Sequence, residues 1–153
     1  MQPHGFRGTV PTITQLADTG VLTGLDHLPC LRWEHCRTLM DAGWCITPHS
    51  VTHAVDASAA SATAEMGQSK TALLAALGSG SGAEYFTYPG AWMMGPAWSQ
   101  FPALEEEARR LFRSARLWHQ PGFLDADGVE QTEITSVADV PVVTRDTDPY
   151  RVK

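Results

Sequence analysis

The 153 residues, 43% of them hydrophobic, amount to one domain with a core of ordinary size. A formal net charge of −6 and the lack of a dense basic patch exclude nucleic acid as an expected partner and favour a neutral or cationic one. No run of about 18 apolar residues occurs, so no membrane partner is expected, and MQPHGFRG lacks the basic-then-apolar order of a secretory signal, which makes a cytoplasmic location the default expectation.

In chain order, Gly8 to Ile13 (GTVPTI) leans towards a strand, with Pro11 making it weak or an edge. Leu31 to Ala42 carries a helical stripe of Leu31, Cys36, Leu39 and Met40, and Gly43 is placed to stop it. Trp44 to Thr47 reads as a strand that delivers the loop HSVTH, His49 to His53. A helix is expected from about Ala62 to Leu77 with Leu73, Leu74 and Leu77 on its buried face, ending in a flexible break at GSGSG, Gly78 to Gly82. Glu84 to Tyr88 (EYFTY) is a strand by composition, closed by Pro89 and Gly90. The apolar loop Gly90 to Trp98 follows, then a helix over Ala103 to Ser114 with acids first and arginines last, as the helix dipole favours. Short strands are expected at Ala115 to Trp118 and Val140 to Thr144. The cysteines Cys30, Cys36 and Cys45 are odd in number and are read as thiols rather than a disulfide framework.

Strands alternating with helices imply a parallel sheet with helices outside, and in such folds reactive residues occupy the loops at the strand carboxyl ends. HSVTH falls there, and EYFTYPG ends in the equivalent place one unit later. Imidazole is a good zinc ligand near neutral pH, and two histidines four apart can reach one ion. A hydrolytic site normally takes three protein ligands, so a third group must come from elsewhere. With 6 histidines in the chain the spacing also arises by chance, and two histidines that merely bond the loop fit it too.

The stretch LRWEHCRTLMDAGWCITPHSVTHAVDAS, Leu31 to Ser58, resembles the polysaccharide deacetylase family, also called the NodB-homology or carbohydrate esterase 4 family. Trp33, Ala42, Gly43, Trp44, Ile46, His49, Ser50 and His53 fall on its tryptophan-led helix, its aGwei strand and its H-[ST]-x-x-H motif. Phe86-Thr87-Tyr88-Pro89-Gly90 looks like the third motif, and GFRGTVPTI resembles an upstream strand. The resemblance implies an α/β fold, a partial distorted (β/α) barrel of the glycoside hydrolase/deacetylase type, over residues 1–122, with an acidic segment at 123–153. It implies a metal-dependent hydrolase of the C–N bond in N-acetylated sugars, with a carbohydrate or small amide as substrate. A divalent metal, zinc by expectation, would sit on His49 and His53; Ser50 would orient the loop or a ligand, Tyr88 and Pro89 would line the sugar groove, and Trp92 would offer a stacking face.

The chain also departs from that pattern. The family's first motif, a strand ending in paired aspartates, should precede Gly8, where only MQPHGFR stands, so the first βα unit is expected to be missing. The arginine position of the third motif holds Thr87, and His119 is the nearest candidate for the general acid. Asp56 fits a helix N-cap better than a third ligand, Asp18 and Asp26 are read as loop residues, and DADG at Asp125 to Gly128 reads as a turn. A barrel lacking a strand exposes sheet edges, through which a homodimer is expected. Two other readings stand beside the enzyme: a remnant that binds carbohydrate or protein without hydrolysis, and an unrelated small α/β domain in which HSVTH is structural.

Overall fold

The computed structural model describes residues 5, 7–20, 30–53, 59–89 and 102–116. The first strand, β1 (Thr9–Thr12), pairs in parallel with β2 (Cys45–Pro48), Val10 standing beside Ile46. Cys45 N–H donates to Gly8 O and His49 N–H to Thr12 O, so the bonds run through even-numbered residues of β1. Pro11 has the opposite parity, and its missing N–H costs this pairing nothing.

Between these strands lie α1 (Thr14–Thr19) and α2 (Trp33–Asp41). The first was not expected, and it moves Asp18 from a loop onto a helix, where its carboxylate accepts a hydrogen bond from the Trp33 indole. Leu31, expected on the buried stripe of α2, precedes the helix and is exposed. The extended Arg32 separates the two, and its N–H donates to Nδ1 of His35 (3.0 Å), which fixes the helix start one residue later. Gly43 takes a φ of +85° just past the helix end, the left-handed conformation suited to glycine.

After β2, a continuous helical stretch comprises α3 (Ala59–Ala62), a π-helical turn (Thr63–Gly67) and α4 (Gln68–Leu77). Its buried residues are Ala62, Met66, Ser69 and Leu73; Leu74, expected among them, lies one position round the axis and is exposed. Adjacent residues of an α-helix stand about 100° apart, which takes Leu74 off the face that buries Leu73. GSGSG is a bonded turn and not a loose break: Gly78 N–H donates to Leu74 O, and Gly82 N–H to Ile46 O (2.8 Å).

The second parallel pair joins β3 (Tyr85–Thr87) to β4 (Ser114–Arg116) across α5 (Pro102–Leu111). Ser114, expected to close α5, begins β4 instead; Arg113 N–H donates to Glu84 O at the strand entry. Helices cover one face of each pair. Cys36, Ile46, Leu73 and Ala83 form the core under α2 and α4, and Met66, Phe86, Leu104 and Phe112 form the core under α5 and the π-turn. The result is a mixed α/β fold, and among the described residues the strands form two parallel pairs that do not close into a barrel. No disulfide joins the three cysteines. The loop at Gly90 to Trp98, the acidic segment with its Val140 to Thr144 strand, and Asp26, Asp56, Trp92, His119 and DADG lie outside the described residues.

Candidate metal centre

β2 ends by handing its last backbone donor, His49 N–H, to Thr12 O at 3.0 Å, and the chain then turns sharply. Ser50 and His53 both adopt a φ of 69°, the left-handed region that costs a non-glycine residue on the order of 1–2 kcal/mol. Two such residues within one loop persist only if the surroundings determine their shape. Here they do. The N-cap of α1, Ile13, offers no side-chain acceptor, and the first N–H groups of the helix, at Thr14 and Gln15, donate instead to Ser50 O (3.2 Å) and Val51 O (3.0 Å). The histidine loop thus satisfies donors that a helix start would otherwise leave orphaned. Inside the loop, His53 N–H donates to Ser50 Oγ at 2.8 Å, and Ser50 is fully buried.

From the opposite side comes Glu65 on the π-turn. Its Oε2 accepts from Val51 N–H (2.8 Å) and Thr52 N–H (2.9 Å), and its Oε1 from the Thr52 hydroxyl (2.8 Å). No motif marks this residue. Its one signal in the sequence is that it stands as the sole acid in the small-residue stretch from Ala57 to Gly67.

The two imidazoles meet with ring centres 5.0 Å apart and planes inclined by 60°. Zinc–nitrogen bonds of about 2 Å at a tetrahedral centre would put two imidazole centres about 5 Å apart, the separation that these rings have. Nδ1 of His49 lies 2.7 Å from the Thr87 carbonyl, which can only accept, so Nδ1 carries the proton and Nε2 keeps its lone pair. A carbonyl partner behind a histidine is the usual means of fixing a ligand tautomer. Burial pushes the pKa of His49 below the ordinary histidine value, with His53 adding to the effect and the Thr87 bond opposing it; burial likewise lowers His53. Both rings are therefore neutral at pH 7, the form that binds a cation.

The bond from His49 to Thr87 also ties the end of β2 to the end of β3, so the HSVTH and EYFTYPG loops share one rim. The next two residues are buried: Tyr88 is 2% exposed, its ring edge-on to Phe86, and Pro89 is fully enclosed. Tyr88 N–H donates to Arg116 O, continuing the β3–β4 pairing. Among the described residues no cluster of three His, Cys, Asp or Glu side chains could hold a metal, and Glu65 spends its oxygens on the loop.

No protein-family model matches the chain, and no curated protein matches it. Solved structures do. The chain is similar to a candidate polysaccharide deacetylase from Bacillus anthracis, with a TM-score of 0.51 and 17% identity, over 79% of this chain and 33% of that one. It is also similar to a de-N-acetylase from Aggregatibacter actinomycetemcomitans, with a TM-score of 0.53 and 11% identity, over 74% of this chain and 54% of that one. The described part of the chain therefore has a fold found in deacetylases, as the HSVTH resemblance implies. The chain spans between a third and about half of the length of these structures.

Proposed function

We propose that this chain carries the two-histidine arm of a metal-dependent hydrolase acting on the C–N bond of N-acetylated sugars, and that its two parallel pairs are arcs of a distorted (β/α) barrel. The observation that carries the reading is the bond from His49 Nδ1 to Thr87 O, which leaves Nε2 of His49 as a lone pair in a ring 5.0 Å from that of His53. The fold likeness to deacetylases supports the same reaction class. A divalent cation there, zinc by expectation, would supply a Lewis acid for the amide carbonyl and an acidified water. His49 and His53 would hold it, both neutral; Ser50 would keep His53 in place through the backbone; Thr87 would fix the His49 tautomer.

Zinc or cobalt titration tests the metal. One equivalent should bind, and His49→Ala should weaken binding by about tenfold or more. A protein with no stoichiometric site, or one indifferent to His49→Ala, would sink the metal reading in favour of a structural HSVTH loop. Acetate release from an N-acetylated oligosaccharide then separates a catalyst from a protein that holds metal and sugar without hydrolysis. The second reading is favoured by one fact, that among the described residues no cluster of three His, Cys, Asp or Glu side chains could hold a metal.

A further inference from the structure

We infer that Glu65 is the positioning residue that pre-organises the histidine loop for its cation, an inference that rests on the metal reading of His49 and His53. Two independent features point to it. The first is the set of bonds: one carboxylate takes the backbone donors of Val51 and Thr52 and the Thr52 hydroxyl, all between the two histidines in sequence. These residues lie between the two left-handed positions, Ser50 and His53, so the carboxylate holds the segment whose shape sets the separation of the rings. The second is the helix itself. Glu65 sits inside the π-turn Thr63–Gly67, a local widening that costs helix geometry and recurs at functional sites.

Glu65 therefore works through backbone amides and has no bond to either imidazole. Its role is geometric rather than electrostatic, and this separates two variants. Glu65→Gln can keep the pattern, its amide oxygen accepting from both N–H groups and its amide nitrogen donating to the Thr52 hydroxyl. Glu65→Ala keeps none of it, and Glu65→Asp keeps the charge but draws the oxygens back by one methylene.

The test uses the whole chain and two readouts, amide hydrogen exchange at Val51 and Thr52 without metal, and cobalt(II) affinity from the visible absorption of the bound ion. Glu65→Ala should lose protection at both amides and weaken cobalt binding by about tenfold or more, while Glu65→Gln stays within about threefold of the parent in both. Should Glu65→Ala fail to fold, Glu65→Asp decides, and it should fall below Glu65→Gln. Unchanged exchange in the folded Ala variant, cobalt binding by Ala or Asp as tight as the parent's, or a Gln variant as damaged as Ala each overturns the inference. A parent protein that takes up no cobalt while the amides follow the predicted order overturns the metal reading and with it the metal role of Glu65, leaving a loop anchor only.

Discussion

Ser50 shows how one side chain can offset the strain of its own backbone. Its φ of 69° is unfavourable, but the same turn brings Oγ to His53 N–H at 2.8 Å in a fully buried position. Ser50→Ala keeps the strain and leaves that donor without its acceptor, a loss of about 1–3 kcal/mol. Ser50→Gly loses the same bond but takes the left-handed conformation without a clash, recovering about 1 kcal/mol. Urea denaturation should rank stability as parent, then Gly, then Ala; an Ala variant as stable as the Gly variant would mean that strain at this φ is not felt. At this scale the sequence is readable where a side chain itself makes the contact: His49, Ser50 and His53 follow from their types and spacing. Thr87 does not, because its carbonyl is what meets His49, and every residue has one. Glu65 is hidden for the same reason, since two of its bonds end on backbone amides 13 and 14 residues away.

Among the elements, GSGSG separates what composition treats alike. Its first glycine ends α4, its second, Gly80, faces open space except for Met40 Cε at 4.0 Å, and its last, Gly82, is pressed against β2. A methyl on Gly82 would run into Cys45 Sγ and stand 2.8 Å from Thr47 Cγ2 and 2.9 Å from the Ile46 carbonyl oxygen. The Ile46 oxygen is backbone and already accepts Gly82 N–H, so it cannot withdraw without breaking the tie between the turn and β2. Gly82→Ala should therefore cost about 1–3 kcal/mol, whereas Gly80→Ala should change stability by less than about 1 kcal/mol. Chemical denaturation of the pair decides it, and equal stabilities would show that the turn can shift away from β2. The strands β1 to β3 were legible from β-branched and aromatic runs between turn signals, and both pairs are parallel as the alternation implies. What failed is register and short local structure. The stripe Leu73, Leu74, Leu77 counts Leu74 as buried, although it stands about 100° round the axis from Leu73, and α1 has only six residues and takes its cap from a loop 36 positions away in the chain.

For the whole molecule, closure of the sheet depends on contacts far apart in sequence, and no local pattern encodes them; the described strands form two pairs, and the fold likeness to deacetylases is what relates those pairs to a larger architecture. Acid stability depends on the molecule as a unit and can be argued from the charges it buries. Without metal, the folded protein holds His49 and His53 neutral at pH values where the unfolded chain, titrating near 6.5, takes up protons. Above that value the two states bind alike and the pair contributes no pH dependence. Below it the unfolded state gains protons that the native state refuses, so stability falls with falling pH until the lowered native values are passed. Glu107 acts in a separate, more acid window: the Arg110 hydrogen bond holds its carboxyl below the usual 4.5, and that stabilisation is lost as pH falls through the lowered value. Zinc should add about 2.7 kcal/mol at a hundredfold excess over its Kd at pH 7.5 and lose that effect across the histidine window, because protons compete for the same nitrogens. Thermal unfolding from pH 8 to 5, with and without zinc, should show a decline starting near 6.5 that the double variant His49→Ala, His53→Ala lacks. A decline that persists in the double variant would assign the acid sensitivity to other groups.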